Sequence, residues 1–285
     1  MPRTSYPSRF ARLLVSGGLL LCLAGCQTIG TFNSSPFSGP SNQRDWAPPH
    51  SVVPTAKMRG DQVVKVYHVR NFRYASPEVY VPAFEDRVYD LNELQTVDFI
   101  VSPFNGHPDL AHTMLSFGFR GGDQLAVSVE ARLENGESYS PLRGALNQYE
   151  LIYVLADERD VIPLRTEARQ SDVYVYRTNA TPEEVRSLFQ DIVQRVNHLA
   201  NQPEYYHSLT NNCTTNIRDH VNRLRPGKIP WDLRVVLPGR SDQLAYDLGL
   251  IDRSLPFDQV RRLAKVNDRV APALKLADFS QQIRR

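Results

Sequence analysis

Ala111-His112-Thr113-Met114-Leu115-Ser116-Phe117-Gly118-Phe119 alternates so that His112, Met114 and Ser116 share one strand face and Thr113, Leu115 and Phe117 the other. A strand is a rigid platform, and it presents an imidazole beside a hydroxyl. Further strand signals flank it on both sides: Val63 to Val69, Val97 to Val101, Leu125 to Ala131, Leu151 to Leu155 and Asp172 to Tyr176, each β-branched or alternating. The first half therefore reads as a sheet.

After the strands the period changes. Thr181-Pro182-Glu183-Glu184 supplies an N-cap, a first-turn proline and a capping-box glutamate. Val185, Leu188, Phe189, Ile192, Val193, Val196 and Leu199 then recur at helical spacing, which predicts a helix with one broad apolar face. A second helix is predicted from Cys213, with Ile217, Val221 and Leu224 on one face and Pro226-Gly227 as its stop. Loops around Pro230-Trp231 and Leu237-Pro238-Gly239 precede short helical patterns over 241–248 and 256–265. The fold class is α+β, a mainly antiparallel sheet packed by helices, in one domain over 51–285.

The N-terminal segment reads as an address. Arg3, Arg9 and Arg12 without an acid precede the short apolar run from Leu13 to Cys22, a bacterial secretory leader too short for a spanning helix. Leu23-Ala24-Gly25-Cys26 resembles a lipoprotein lipobox, which implies a leader over 1–25, cleavage before Cys26 and lipidation of Cys26. Gln27 in place of an aspartate favours the outer membrane, with the chain facing the periplasm of a Gram-negative cell. Residues 26–50, rich in Ser, Pro, Asn and Gly, are the expected tether. No later stretch is long and apolar enough to span a bilayer, so the rest is expected to be soluble and exported. Lys+Arg of 33 against Asp+Glu of 31 leaves +2, too little to bind nucleic acid by phosphate neutralisation.

Cys22 leaves with the leader and Cys26 would carry lipid, so Cys213 is the one free thiol of the expected mature chain. Asn211-Asn212-Cys213-Thr214-Thr215-Asn216 puts it at a helix N-terminus, where backbone N–H groups and the helix dipole favour a thiolate and can donate to an oxyanion. A small residue that merely packs the helix start remains the structural alternative. A base must be found among the seven histidines. His112 on its strand is preferred, with His207 and His220 as rivals; His220 lies two helical turns beyond Cys213, and His198 belongs to a solvated helix face. Glu130 and Asp98 are the candidates for orienting the imidazole. Ser116, Asn212, Tyr206 and Trp46 are the candidate substrate contacts. Phe117, Phe119 and Tyr205 offer apolar surface near the proposed site or belong to the core. Without C-x-x-C or H-E-x-x-H spacing no metal is expected, nor any other cofactor.

The runs Arg44-Asp45-Trp46, Val69-Arg70-Asn71-Phe72, Val97-Asp98-Phe99, His112 to Phe117, Ser128-Val129-Glu130-Ala131-Arg132, Glu158-Arg159-Asp160 and Asn212-Cys213-Thr214-Thr215 together carry a family resemblance. The chain resembles the periplasmic-domain family named after Lnb, the bacterial lipoprotein intramolecular N-acyltransferase. That resemblance implies a permuted papain-like core of the NlpC/P60 kind, with Cys213 as nucleophile and His112 as general base and acid. It implies acyl transfer in which a lipid ester acylates the thiol and an amine resolves the thioester. Lnb carries several membrane spans after this domain, and none is legible here. The expected function is a membrane-anchored thiol acyltransferase or hydrolase acting on a phospholipid or lipoprotein. An inactive envelope scaffold and a cell-wall amidase are the alternatives.

Overall fold

The computed structural model describes residues 39–285, so the expected leader, Cys26 and residues 27–38 lie outside the described residues. Among the described residues there are eleven strands: β1 Thr55–Arg59, β2 Val63–Arg70, β3 Arg73–Tyr74, β4 Tyr80–Val81, β5 Phe84–Asp90, β6 Leu94–Phe104, β7 His107–Phe119, β8 Gln124–Arg132, β9 Tyr149–Ala156, β10 Tyr174–Arg177 and β11 Tyr205–Tyr206. The main sheet is nine-stranded and runs β1-β2-β9-β8-β7-β6-β10, with β5 on β2 and β11 on β9. Its ladders are antiparallel except where β2 meets β9 at Arg70 and Ala156. The expected α+β class with a mostly antiparallel sheet is thus present.

The helices are α1 Pro141–Ala145, α2 Glu158–Pro163, α3 Pro182–Asn201, α4 Cys213–Leu224, α5 Leu233–Val236, α6 Ser241–Asp247, α7 Phe257–Ala264, α8 Asn267–Ala273 and α9 Phe279–Gln282. At the start of α3 the Thr181 and Glu184 side chains close a capping box, and the seven apolar residues read from the periodicity are its buried face. Each buries enough apolar surface to contribute about 1.5–3 kcal/mol, which is why this helix holds the sheet. Phe117 and Phe119 pack edge-on against Phe189 of α3, at 5.1 and 6.3 Å between ring centres. They are core residues, not walls of the site.

Strand alternation divides the core in two. Ala111, Leu115, Phe117, Val127, Val129 and Tyr153 face α3 and α4, in one cluster with Cys213. Met114, Ala126, Ile100, Ile152 and Val154 face the other way, onto Val161 and Ile162 of α2 and Val270 of α8. On that second face Ser116 and Asp98 are buried in an ion cluster. Ser116 Oγ donates to Glu158 Oε1 at 2.5 Å, and Arg284 Nε reaches Asp98 Oδ2 at 2.9 Å.

The domain starts before residue 51. Trp46 is buried beneath the Arg132 guanidinium, 4.0 Å above its ring, and its indole N–H donates to the Asn42 carbonyl at 2.9 Å. Composition alone suggested a tether to residue 50, because polar and proline-rich sequence does not reveal that a single aromatic and a histidine find partners on the sheet.

Candidate active site

α4 begins at the thiol because Asn212 has extended backbone and a side chain that caps two donors: its Oδ1 accepts from the N–H groups of Thr214 and Thr215, both at 2.9 Å. Thr215 Oγ1 returns the favour by accepting from the Asn212 N–H at 2.8 Å. Such a cap contributes about 1 kcal/mol. It leaves the Cys213 N–H without an acceptor among the described residues. The helix is fixed to the sheet by a hydroxyl pair, Thr113 Oγ1 to Thr214 Oγ1 at 3.0 Å, and Cys213 Sγ lies 3.7 Å from the same Thr214 oxygen.

Cys213, Asn212, Tyr206, His112, Glu130 and Arg165 are among the residues that line a cavity of about 340 Å³. Burial, and after it Cys213, push the Tyr206 phenol pKa upward, and Tyr206 Oη lies 3.2 Å from Tyr139 Oη. The cavity draws lining from both faces of the sheet, Ala111, Val129 and Ala131 from one and His112 and Glu130 from the other. The reason is the β7–β8 ladder, whose last pair is Met114 and Ser128. Beyond that pair neither strand holds the other, and the cavity occupies the wedge.

His112 shares its face with Met114 and Ser116, as alternation requires, and that face is opposite to α4. Its Nε2 is 2.7 Å from Ser128 Oγ, and Ser128 Oγ donates to Glu130 Oε1 at 2.6 Å. A hydroxyl has one proton. Because Ser128 spends it on Glu130, it must accept from His112, which makes Nε2 the protonated nitrogen and leaves the Nδ1 lone pair free. Among the described residues no hydrogen bond joins the ring to Cys213, so the direct thiol–imidazole contact implied by a papain-like core is not present. Burial, then the Arg165 cation, push the His112 pKa down to about 3, and the ring is neutral.

Of the two carboxylates expected to orient the ring, Glu130 does so through Ser128, with 3.9 Å separating Oε1 from His112 Nε2. Asp98 does not. It pairs across the ladder with Ser116, whereas His112 pairs with Ser102, and four strand positions amount to about 13 Å. Ser116 is removed from the cavity for the same reason, and its hydroxyl serves Glu158. Trp46 belongs to the Arg132 contact and does not line the cavity. Of the rival histidines, His207 closes a turn by accepting the Leu209 N–H at Nδ1, 3.2 Å away. His220 is locked between Tyr153 Oη at 2.7 Å and Asp191 Oδ2 at 2.5 Å.

Four residues of this site were not assigned from sequence. His50 donates from Nε2 to Glu130 Oε2 at 2.9 Å while its Nδ1 accepts the Leu133 N–H at 2.9 Å. Arg70 Nη1 stands 4.0 Å and Arg165 Nη2 3.6 Å from the same carboxylate, and Arg70 is itself held by a bidentate contact to Asp160. Burial alone would raise the Glu130 pKa, but the His50 hydrogen bond and the Arg70 charge outweigh it and hold the group well below the usual carboxylate range. Ser128 was legible, being two residues before Glu130 on the same strand face.

The family model of the Lnb N-terminal periplasmic domain matches residues 80–239, a span that includes His112, Ser128, Glu130, Arg165 and Cys213. The chain belongs to this family. No curated protein and no solved structure matches it. The family is one of periplasmic domains, and among the described residues no helix is long and apolar enough to cross a membrane. The match begins at Tyr80, so His50 and Arg70, which complete the Glu130 cluster, come from outside the Lnb-family segment.

Proposed function

We propose that this Lnb-family protein is a thiol acyltransferase or hydrolase, held on the outer membrane by lipid on Cys26 and working through an acyl-Cys213 intermediate. A bond forms between Sγ and the acyl carbon of a lipid ester, and the ester C–O bond breaks. The Sγ proton passes to His112 Nδ1, across one water or after the wedge tightens on substrate, and then to the departing alkoxide. An amine or water resolves the thioester. The Cys213 N–H, which has no acceptor among the described residues, donates to the oxyanion.

The observation that carries this reading is the Glu130, Ser128 and His112 hydrogen-bond chain, which assigns the ring proton to Nε2 and leaves Nδ1 unprotonated on a residue that lines the same cavity as the helix-terminal thiol. A second, apolar cavity of about 150 Å³ along α4, lined by Leu115, Leu188, Thr214 and Ile217 among others, shares no lining residue with the first. The absence of a direct thiol–imidazole contact favours, as a second reading, a binding lipoprotein that has kept the scaffold.

Intact-mass analysis after incubation with phospholipid vesicles decides between them. One added fatty acyl group, lost in Cys213→Ala and slowed in His112→Gln, is expected. No adduct, together with equal thiol-probe labelling in wild type and His112→Gln, overturns the enzyme in favour of the scaffold. An adduct formed only with murein peptides makes it an amidase.

A further inference from the structure

Three segments surround the Cys213 cavity: α1, the turn over 207–211, and the stretch from Val236 to Pro238, which lines it. The first two are tied together, with Ser208 Oγ donating to the Pro141 carbonyl at 2.7 Å. Around that rim the chain shows large apolar side chains open to water: Leu142 on α1 and Leu146 just after it, Leu209 and Leu237, which line the cavity, and Trp231 and Leu233, which precede Leu237 in the chain. Their exposure runs from 38% at Leu237 to 73% at Trp231. Water-exposed apolar groups on segments that line one cavity mark an interaction surface, unlike scattered ones.

The charges on the same segments have one sign in excess. Counting the acids they pair with, Arg143, Lys228, Arg234 and Arg240 stand beside Glu137, Asp232 and Asp247, an excess of one positive charge, with Arg143 held by Glu137 at 2.5 Å. Arg234 is paired with Asp232 and Asp247 at 2.9 and 2.6 Å, and such surface pairs contribute under about 1 kcal/mol. Leucines and one tryptophan set among cations is the composition of a surface that lies in the headgroup layer, with the indole at the interface.

We propose that the rim of the Cys213 cavity docks on an anionic lipid bilayer, with Trp231, Leu233, Leu142 and Leu146 entering the headgroup region. Docking turns the cavity mouth toward the lipid, so that a chain leaves the membrane without crossing water. It is distinct from lipid anchoring at Cys26, which fixes the protein near the membrane and sets no orientation.

The chain has two tryptophans, and Trp46 is buried under Arg132, so emission that responds to lipid reports Trp231. The test uses the full chain in phosphatidylglycerol and phosphatidylethanolamine vesicles, with and without bromine on the acyl chains. A blue shift and bromine quenching are expected, absent in Trp231→Phe and reduced in a Leu142→Ser, Leu233→Ser double variant and in neutral phosphatidylcholine. Cys213→Ala should dock like wild type, so failure of the thiol chemistry leaves this result unchanged. Emission identical in brominated and unbrominated anionic vesicles that carry the anchored protein would overturn the proposal. So would quenching that survives in Trp231→Phe.

Discussion

Removing the Ser128 hydroxyl tests the fixed tautomer most directly. Ser128 is fully buried, and its Oγ lies 2.7 Å from His112 Nε2 and 2.6 Å from Glu130 Oε1. In Ser128→Ala the His112 N–H loses its acceptor, and a buried unsatisfied donor costs about 1–3 kcal/mol. Glu130 keeps His50 and its arginines, so the carboxylate side adds about 1 kcal/mol, and the total loss of stability should be roughly 2–4 kcal/mol in urea titration. The larger effect is on chemistry. Without Ser128 nothing dictates which ring nitrogen carries the proton, and the tautomer with a protonated Nδ1 cannot accept from sulfur. Acylation of Cys213, followed by intact mass, should fall by tenfold or more, about 1.4 kcal/mol of barrier. Glu130→Gln keeps an acceptor for the Ser128 hydroxyl and should lose less. An Ser128→Ala protein as stable as wild type, or one that acylates at the wild-type rate, refutes the relay.

The neutral His112 also shapes stability against pH. Its folded-state pKa of about 3 lies below the usual 6.5, so between these values the unfolded chain binds a proton that the folded one refuses. Stability therefore falls as pH drops through that window, by up to about 1.4 kcal/mol per pH unit from this residue. His220 and the depressed carboxylates Glu130, Glu158 and Asp191 act with the same sign, so the measurement is the difference in slope between wild type and His112→Gln. A parallel pair of curves would contradict the buried, neutral ring. At the helix start, Asn212→Ala removes a cap that accepts two N–H groups and should cost about 1–2 kcal/mol in thermal or urea unfolding; an unchanged midpoint contradicts the cap.

Local physics was readable, and long-range pairing was not. The buried face of α3, its capping box and the start of α4 at Cys213 follow from spacing and from side chains that cap their own backbone. Alternation placed His112, Met114 and Ser116 on one face of β7. It could not say that α4 would lie on the other face, because which layer covers which side depends on how the chain crosses over. Asp98 and Glu130 looked equivalent, each a carboxylate in a strand beside β7. Register separates them, and register comes from hairpin geometry far from either residue. His50 and Arg70 reach Glu130 across 80 and 60 residues of chain, a distance over which no periodicity carries information.

The buried carboxylate of Glu158 has a distant partner. Its oxygens meet Arg284, 126 residues further along, and the same guanidinium also serves Asp98 from β6. Undocking of the segment that carries Arg284 would leave the buried Glu158 carboxylate with the Ser116 hydroxyl but without that counter-ion. Opening of that layer and release of α9 are therefore expected to be coupled. Proteolysis should thus find α2 and the final helix opening together, as one latch.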